Sequence, residues 1–156
     1  TYLRGAKILS FCEDQLLTYL RDDVANIPYP ALWDLLGVGA EGDETPVECA
    51  LRETKEEFAL TLPLSRIIWS RAYPSMLIED TINWFFVAPI TAKEIESIEL
   101  GEEGQQWHMM PITSENDHLV LIDDAGVPIS CLWIYLVNLE SVLILLGHGL
   151  GVQLSA

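Results

Sequence analysis

The sequence is poor in basic residues. Of its 156 residues 8 are Lys or Arg, against 24 Asp and Glu, so the formal net charge is −16. Proteins bind DNA and RNA mainly through Lys and Arg that neutralise phosphates, so this balance argues against a nucleic-acid polymer as partner. A small phosphorylated substrate remains compatible, because divalent cations held by carboxylates reverse the local sign of the field. The charge therefore favours a metal-dependent site over a nucleic-acid interface.

The sequence also lacks paired cysteines. Its three cysteines, Cys12, Cys49 and Cys131, are odd in number, far apart in sequence and without a CxxC pair. Neither a disulfide framework nor a zinc site is indicated. Reduced thiols, together with the lack of a recognisable signal peptide at the start of the sequence, predict a cytoplasmic protein.

A third absence is that of an unbroken apolar run long enough to cross a membrane. The candidate, residues 131–146, is interrupted by Asn138, Glu140 and Ser141, whereas a spanning helix needs about 18 uninterrupted apolar residues. We therefore predict no membrane association and an apolar C-terminal helix or tail over residues 127–156. If the apolar part of that tail at residues 142–154 is exposed, it is a candidate interface for a homodimer.

The order of apolar and polar segments predicts strands on both sides of a central helix. Stretches rich in β-branched and aromatic residues between turn-forming residues are typical of strands. The predicted strands are residues 6–11, 15–21, 32–36, 66–73, 81–89 and 107–110. The predicted helices are 46–58, 91–95 and 127–146. No linker or repeat interrupts this order, so we expect one domain over 1–156, an α/β fold of the α/β/α sandwich type with a mixed β-sheet.

The helix at 46–58 has the clearest boundaries in the sequence. Thr45 is the expected N-cap, Pro46 occupies the first helical position, and Glu48 completes a capping box with Thr45. Apolar groups recur at the spacing of one helix face, which predicts a buried stripe formed by Val47, Ala50, Leu51, Thr54 and Phe58. The charged residues are expected on the opposite face.

Three glutamates of this helix are predicted to lie close together. Glu53, Glu56 and Glu57 stand at i, i+3 and i+4, which places their carboxylates on one helix face. Like charges at this spacing are destabilising unless a cation binds them, and oxygen ligands at this density suit Mg²⁺ or Mn²⁺. Arg52 stands four residues before Glu56 and is placed to orient its carboxylate. The alternative interpretation is a solvated acidic helix face without a metal.

The segment that contains this cluster resembles the Nudix box. The box consists of Gly, five residues, Glu, seven residues, and then Arg-Glu-aliphatic-any-Glu-Glu-any-Gly-aliphatic, and its spacing is intact over residues 38–60. The positions that match its fixed residues are Glu44, Arg52, Glu53, Glu56, Glu57 and Leu60. Outside the box, Glu103-Gly104-Gln105 resembles the family's loop that supplies a further acidic group.

The resemblance implies a metal-dependent hydrolase that cleaves a phosphoanhydride bond in a nucleoside diphosphate linked to another moiety. The implied metal ligands are Glu53, Glu56, Glu57 and Glu103. The implied catalytic residues are Arg52, Glu53, Glu57 and Glu103, with Glu53 or Glu103 as the general base. The expected partner is a small phosphorylated substrate, and Arg21, at the end of the second predicted strand, is a candidate contact to it.

The segment departs from the box at Leu36, where a Pro commonly precedes the box glycines, at Thr54, where an aliphatic residue is usual, and at two Gly positions. Val38 stands at its first Gly and Ala59 at its terminal Gly. If both positions require positive φ, a β-branched residue at the first is strained, and Ala at the second costs about 1 kcal/mol relative to Gly. These departures predict weakened activity. The alternative function is a catalytically impaired binding or regulatory module that keeps the fold.

Overall fold

The computed structural model describes residues 2–27, 30–31, 33–74, 78–115, 118–122 and 128–129. Its strands are β1 (Tyr2–Cys12), β2 (Gln15–Leu20), β3 (Trp33–Asp34), β4 (Gly37–Gly39), β5 (Trp69–Pro74), β6 (Thr81–Pro89), β7 (Gln106–Glu115), β8 (His118–Ile122) and β9 (Pro128–Ile129). Its helices are α1 (Pro46–Phe58) and α2 (Ala92–Glu96), with a 3-10 helix at Leu64–Arg66. Within these ranges no helix is both long and apolar enough to cross a membrane.

The chain divides into two compact units. The first comprises residues 1–10 and 35–103, and the second comprises 11–34 and 104–156. In the first unit the strands lie in the order β5, β6, β1, and β4 pairs with β1 in antiparallel register. In the second unit β2 pairs with the end of β1, with β3 and with β7, and β8 and β9 continue from β7. A single domain over the whole chain stays a prediction.

The core of the first unit fixes the orientation of α1. The helix buries Phe58, which is 2% exposed, together with Cys49 and Ala50. Burying a side chain of the size of Phe58 stabilises the fold by about 1.5–3 kcal/mol. The other buried apolar side chains of this unit include Ile8, Leu9, Leu35, Leu36, Leu60, Phe85 and Val87. With one face of α1 held in this way, the direction of its remaining side chains is set.

In the second unit, β2 is buried on both faces. Leu16, Leu17 and Thr18 are at most 2% exposed although successive strand residues point to opposite faces. The hydroxyl of Thr18 donates to the carbonyl of His108 at 2.7 Å, which satisfies the one polar group of this stretch. Because both faces of β2 are buried, its sequence is apolar rather than alternating.

The predicted boundaries of α1 are confirmed. The Glu48 amide donates to the Thr45 hydroxyl and the Thr45 amide donates to the Glu48 carboxylate, which completes the capping box. At the other end Ala59 adopts the left-handed conformation, with φ 57° and ψ 28°, and its amide donates to the Lys55 carbonyl at 3.0 Å. The helix therefore begins and ends through local interactions that the sequence encodes.

The predicted strand at 32–36 is wrong in its bounds. β3 covers Trp33 and Asp34, and β4 lies in a segment for which no strand was predicted. Leu35 and Leu36, between them, are 0% and 3% exposed, and the Leu36 carbonyl accepts a hydrogen bond from the Ile8 amide at 3.0 Å. The apolar run therefore marked burial correctly, but periodicity alone does not distinguish a buried strand from another buried segment.

Other predicted elements differ at their ends. β7 runs from Gln106 to Glu115, well beyond the predicted 107–110, because it pairs with β2 along its first half and with β8 along its second. The predicted strand at 66–73 begins in a 3-10 helix and becomes β5 at Trp69. The predicted helix at 127–146 is wrong at Pro128–Ile129, which form β9, and the rest of it lies outside the described residues.

The suspected strain at Val38 is absent. Val38 lies in β4 opposite Ala6, in the extended conformation that β-branched residues favour. The condition on which the suspected strain depended, a positive φ at this position, is therefore not met, because strand pairing with β1 determines the backbone conformation. The expectation for Ala59 was correct.

These two positions are expected to respond to Gly in opposite directions. Ala59→Gly relieves a left-handed alanine and is expected to raise the free energy of unfolding by about 1 kcal/mol, or the melting temperature by about 2–4 °C. Val38→Gly weakens a strand and is expected to lower the free energy of unfolding by about 0.5–1 kcal/mol. Thermal and urea unfolding measure both effects. A stabilising Val38→Gly substitution would contradict the assignment of an unstrained strand.

Candidate metal centre

Helix α1 brings three glutamates into one cluster. Glu53, Glu56 and Glu57 each offer a carboxylate oxygen, and these oxygens all lie within 4.8 Å of one another. Glu53 is 5% and Glu57 is 7% exposed, whereas Glu56 is exposed to solvent. The expectation that all charged residues of this helix lie opposite the buried stripe is therefore wrong for two of the three. Burial of this degree is also inconsistent with a merely solvated acidic face.

The guanidinium of Arg52 holds this cluster together. It forms a bidentate ion pair with Glu44, in which Nε donates to Oε2 at 2.9 Å and Nη2 donates to Oε1 at 2.8 Å. The same group donates to a carboxylate oxygen of Glu53, and to Oε2 of Glu56 at 3.1 Å. One planar cation thus contacts three carboxylates, a role for which Arg is suited by its fixed fork of donors.

Glu44 belongs to the candidate site although the sequence reasoning assigned it no role beyond its match to a fixed position of the box. Its hydrogen bonds with Arg52 lower the pKa of its carboxyl from 4.5 to about 2. Its Oε1 also accepts from the Glu41 amide at 2.7 Å, which closes the turn before α1. The signal that could have identified it is the pairing of a box Glu with a box Arg of opposite charge. Glu44 therefore positions Arg52, which in turn contacts the cluster.

Glu53 and Glu57 have a raised pKa. Burial is the largest cause in both carboxyls, because it penalises the charged form. The negative charges of Glu56 and Glu103 raise both further, while the hydrogen bond from Arg52 lowers that of Glu53 and the Glu103 amide lowers that of Glu57. Burial and repulsion between like charges therefore raise the pKa of each carboxyl by more than its hydrogen bond lowers it. The cluster carries more negative charge than its neighbours neutralise.

The loop at 99–103 closes over the end of α1. Its amides donate to the last helix carbonyls, Glu99 to Phe58 at 3.2 Å and Gly101 to Glu57 at 2.9 Å. The Glu103 amide donates to Oε2 of Glu57 at 3.1 Å. The structure thus brings Glu103 to the cluster through its backbone, while its side chain is exposed. A direct metal ligand or base role for the Glu103 carboxylate stays a prediction.

Arg21 belongs to the second unit. Its guanidinium pairs with Asp34 at 3.3 Å and donates to the Tyr19 hydroxyl at 3.3 Å. Asp34 is 7% exposed, so this pair balances a buried charge. Its contact with substrate stays a prediction.

The donor atoms of the cluster suit a hard divalent cation. All three are carboxylate oxygens, the ligand type that Mg²⁺ and Mn²⁺ prefer. The nearby Cys49 is an unsuitable ligand, because burial and the charge of Glu44 raise the pKa of its thiol to about 12. A cation at this position would supply the missing positive charge.

Comparison with known protein families gives one match, which covers most of the chain. The profile of the NUDIX domain matches residues 1–126. This chain belongs to the Nudix family. Among curated proteins none matches it significantly.

Solved structures share the fold of this Nudix chain. A MutT/nudix family protein from Enterococcus faecalis superposes with a TM-score of 0.62 at 19% identity, over 82% of this chain and 50% of that one. A bifunctional NMN adenylyltransferase/ADP ribose pyrophosphatase from Francisella tularensis, complexed with AMP and a Mn ion, gives a TM-score of 0.57 at 19% identity, over 73% and 35%. The chain therefore spans half or less of the length of these two relatives.

A third structure is similar over most of its own length. The NUDIX domain of Shewanella oneidensis NrtR, complexed with ADP ribose, gives a TM-score of 0.51 at 14% identity, over 71% of this chain and 73% of that one. At these identities the likeness concerns the fold. The predicted α/β fold with a mixed sheet is confirmed.

The raised pKa of Glu57 leads to a stability prediction. The folded state holds this proton to higher pH than the unfolded chain does, so the stability contributed by the group is lost as pH rises above 4.5. Glu57→Gln is therefore expected to raise the melting temperature at pH 7 in a chelator. Millimolar Mg²⁺ or Mn²⁺ is expected to raise the melting temperature of the parent and to have a smaller effect on the variant. Differential scanning calorimetry with and without metal measures both; a destabilised variant in chelator would contradict the sign.

Glu44 is expected to show the opposite pH dependence. Its pKa is lowered to about 2, so its contribution to stability is complete above 4.5 and is lost as pH falls through about 2. Glu44→Gln is expected to lower the free energy of unfolding at pH 7, and the difference from the parent should shrink between pH 4.5 and pH 2. Urea unfolding across this pH range gives the difference. A difference independent of pH would show that the Glu44 charge does not stabilise the fold.

Proposed function

We propose that this chain hydrolyses a phosphoanhydride bond in a nucleoside diphosphate linked to another moiety, with Mg²⁺ or Mn²⁺ as cofactor. The observation that carries the proposal is the cluster of Glu53, Glu56 and Glu57, whose oxygens lie within 4.8 Å although two of the residues are buried. Burial of Glu53 and Glu57 costs stability that the hydrogen bonds from Arg52 and the Glu103 amide offset only in part, so this arrangement favours a role in binding a cation.

The substrate class is supported by the relatives. The Francisella protein is described as an ADP ribose pyrophosphatase and was solved with AMP and a Mn ion, and the Shewanella domain was solved with ADP ribose. Both ligands are nucleotides whose phosphates require neutralisation in an acidic site. With a formal charge of −16 on this chain, a bound cation is the natural means of attracting such a substrate.

The residues of the cluster have distinct proposed roles. Glu53, Glu56 and Glu57 hold the cation, and Arg52 keeps two of these carboxylates in place through the hydrogen bonds described above. A bound divalent cation would neutralise the diphosphate and lower the pKa of an attacking water. The general base is Glu53 or Glu103. Burial raises the pKa of the Glu53 carboxyl above its ordinary value.

The alternative of an impaired binding or regulatory module depended on the two altered Gly positions of the box, Val38 and Ala59. The strand conformation of Val38 removes one reason for it, and Ala59 leaves a cost of about 1 kcal/mol at the helix end. Neither residue is a carboxylate of the cluster. We therefore expect turnover, and a protein that binds nucleotide without hydrolysis would favour the alternative.

Activity is expected to depend on metal and on the cluster. The assay is Mg²⁺-dependent release of nucleoside monophosphate or phosphate from a panel of nucleoside triphosphates, nucleotide sugars and ADP-ribose. Glu53→Gln and Glu57→Gln are each expected to lower turnover by at least about 100-fold, because charge stabilisation worth several kcal/mol is lost. Glu96→Gln is the matched control, since it removes one exposed carboxylate of the same unit from α2.

Each outcome of this assay has a clear meaning. Circular dichroism of each variant verifies that the fold is retained. A control variant as active as the parent, beside two inactive cluster variants, supports the proposal. Unchanged activity in both cluster variants would remove α1 from the mechanism.

A further inference from the structure

Gly101 lies where the loop at 99–103 crosses the end of α1. The last carbonyls of a helix lack partners within the helix. Here the Gly101 amide donates to the Glu57 carbonyl at 2.9 Å and the Glu99 amide donates to the Phe58 carbonyl at 3.2 Å. The loop is therefore fixed against the helix by backbone hydrogen bonds at two points.

No side chain fits at this position. A Cβ built on Gly101 would overlap the carbonyl oxygen of Glu56 and come within 3.0 Å of Oε2 of Glu57. The overlapped atom belongs to the backbone of α1, so it cannot move aside as the tip of a flexible side chain could. Gly101 is not among the glycines with positive φ, so close approach and not backbone conformation demands Gly here.

The close contact between the loop and α1 also determines which group donates a hydrogen bond to the buried carboxylate of Glu57. Two residues after Gly101, the Glu103 amide donates to Oε2 of Glu57 at 3.1 Å. Glu57 is 7% exposed, so water has little access to this carboxylate and the hydrogen bond from the Glu103 amide orients it. Moving the loop outward by the size of a methyl group would lengthen this hydrogen bond beyond its useful range.

We propose that Gly101 is a positioning residue for the carboxylate of Glu57. By allowing the loop to lie directly against α1, it brings the Glu103 amide to Oε2 and so fixes the orientation of the Glu57 carboxylate in the cluster. The consequence for metal affinity rests on the proposed function, whereas the placement of Glu57 does not. Groups that orient a metal ligand through hydrogen bonds typically change metal affinity by about 10–100-fold when removed.

The test is Gly101→Ala, measured in two ways without substrate. Calorimetric titration with Mn²⁺ is expected to show at least about 10-fold weaker binding. Hydrogen exchange of the Glu103 amide in the metal-free protein is expected to be at least about 10-fold faster, because its acceptor has been withdrawn. The second measurement does not require the protein to bind metal.

Gly42→Ala is the matched control. Its added Cβ meets nothing within 4 Å, but its φ of +55° makes alanine strained there, so it lowers stability through the backbone alone. It is expected to retain both the Mn²⁺ affinity and the slow exchange of the Glu103 amide. If Gly101→Ala likewise loses stability while both quantities stay as in the parent, Gly101 is a packing residue and the proposal is wrong.

A second pair of variants serves if Gly101→Ala does not fold. Glu103→Ala and Glu103→Pro both lose the carboxylate, but only Pro also loses the amide hydrogen. Weaker Mn²⁺ binding by the Pro variant than by the Ala variant supports positioning through the amide, and equal binding overturns it. A parent that binds no Mn²⁺ would refute the proposed function, while exchange of the Glu103 amide would still decide whether the loop holds Glu57.

Discussion

The candidate site depends on one guanidinium. Arg52 donates to Glu44 through Nε and Nη2, and to Glu53 and Glu56 through Nη1. A single positive charge therefore offsets several negative ones. Without it, carboxylates whose oxygens lie within 4.8 Å would repel one another on a helix that must also pack against a core. Because Glu44 precedes α1 in the chain, the same contact connects the turn before the helix to the face that carries the cluster.

Arg52 does not neutralise the negative charge of the cluster completely. Burial raises the pKa of Glu53 and of Glu57 in spite of the hydrogen bonds that each receives. The fold accordingly carries a local cost in its metal-free form, which the capping box of α1 and the loop hydrogen bonds at its end help to offset. Sites with such uncompensated groups are typical of function, since stability alone would select neutral or exposed residues.

The departures from the box are absorbed by tertiary structure to different degrees. Val38 is accommodated because pairing with β1 gives it an extended backbone. Thr54, at a position where the box has an aliphatic residue, is fully buried, and its hydroxyl donates to the Ala50 carbonyl at 2.8 Å. Ala59 adopts the left-handed conformation and keeps the energetic cost that this conformation has for alanine relative to Gly. A box read only as a pattern of residue types therefore overstates some departures, because the carboxylate spacing survives all of them.

The sequence by itself determined the elements that depend on local interactions. The capping box of Thr45 and Glu48 fixes where α1 begins, and apolar composition locates β1, β2, β5 and β6 along the chain, because caps and propensities act over a few residues. The glutamate spacing likewise placed three carboxylates on one face. Only the tertiary structure decided that Leu35 and Leu36 are buried although they belong to no strand. It also decided that the loop at Gly101 brings the Glu103 amide to Glu57. These contacts join segments distant in sequence, and the packing that creates them leaves no periodic signal in the chain.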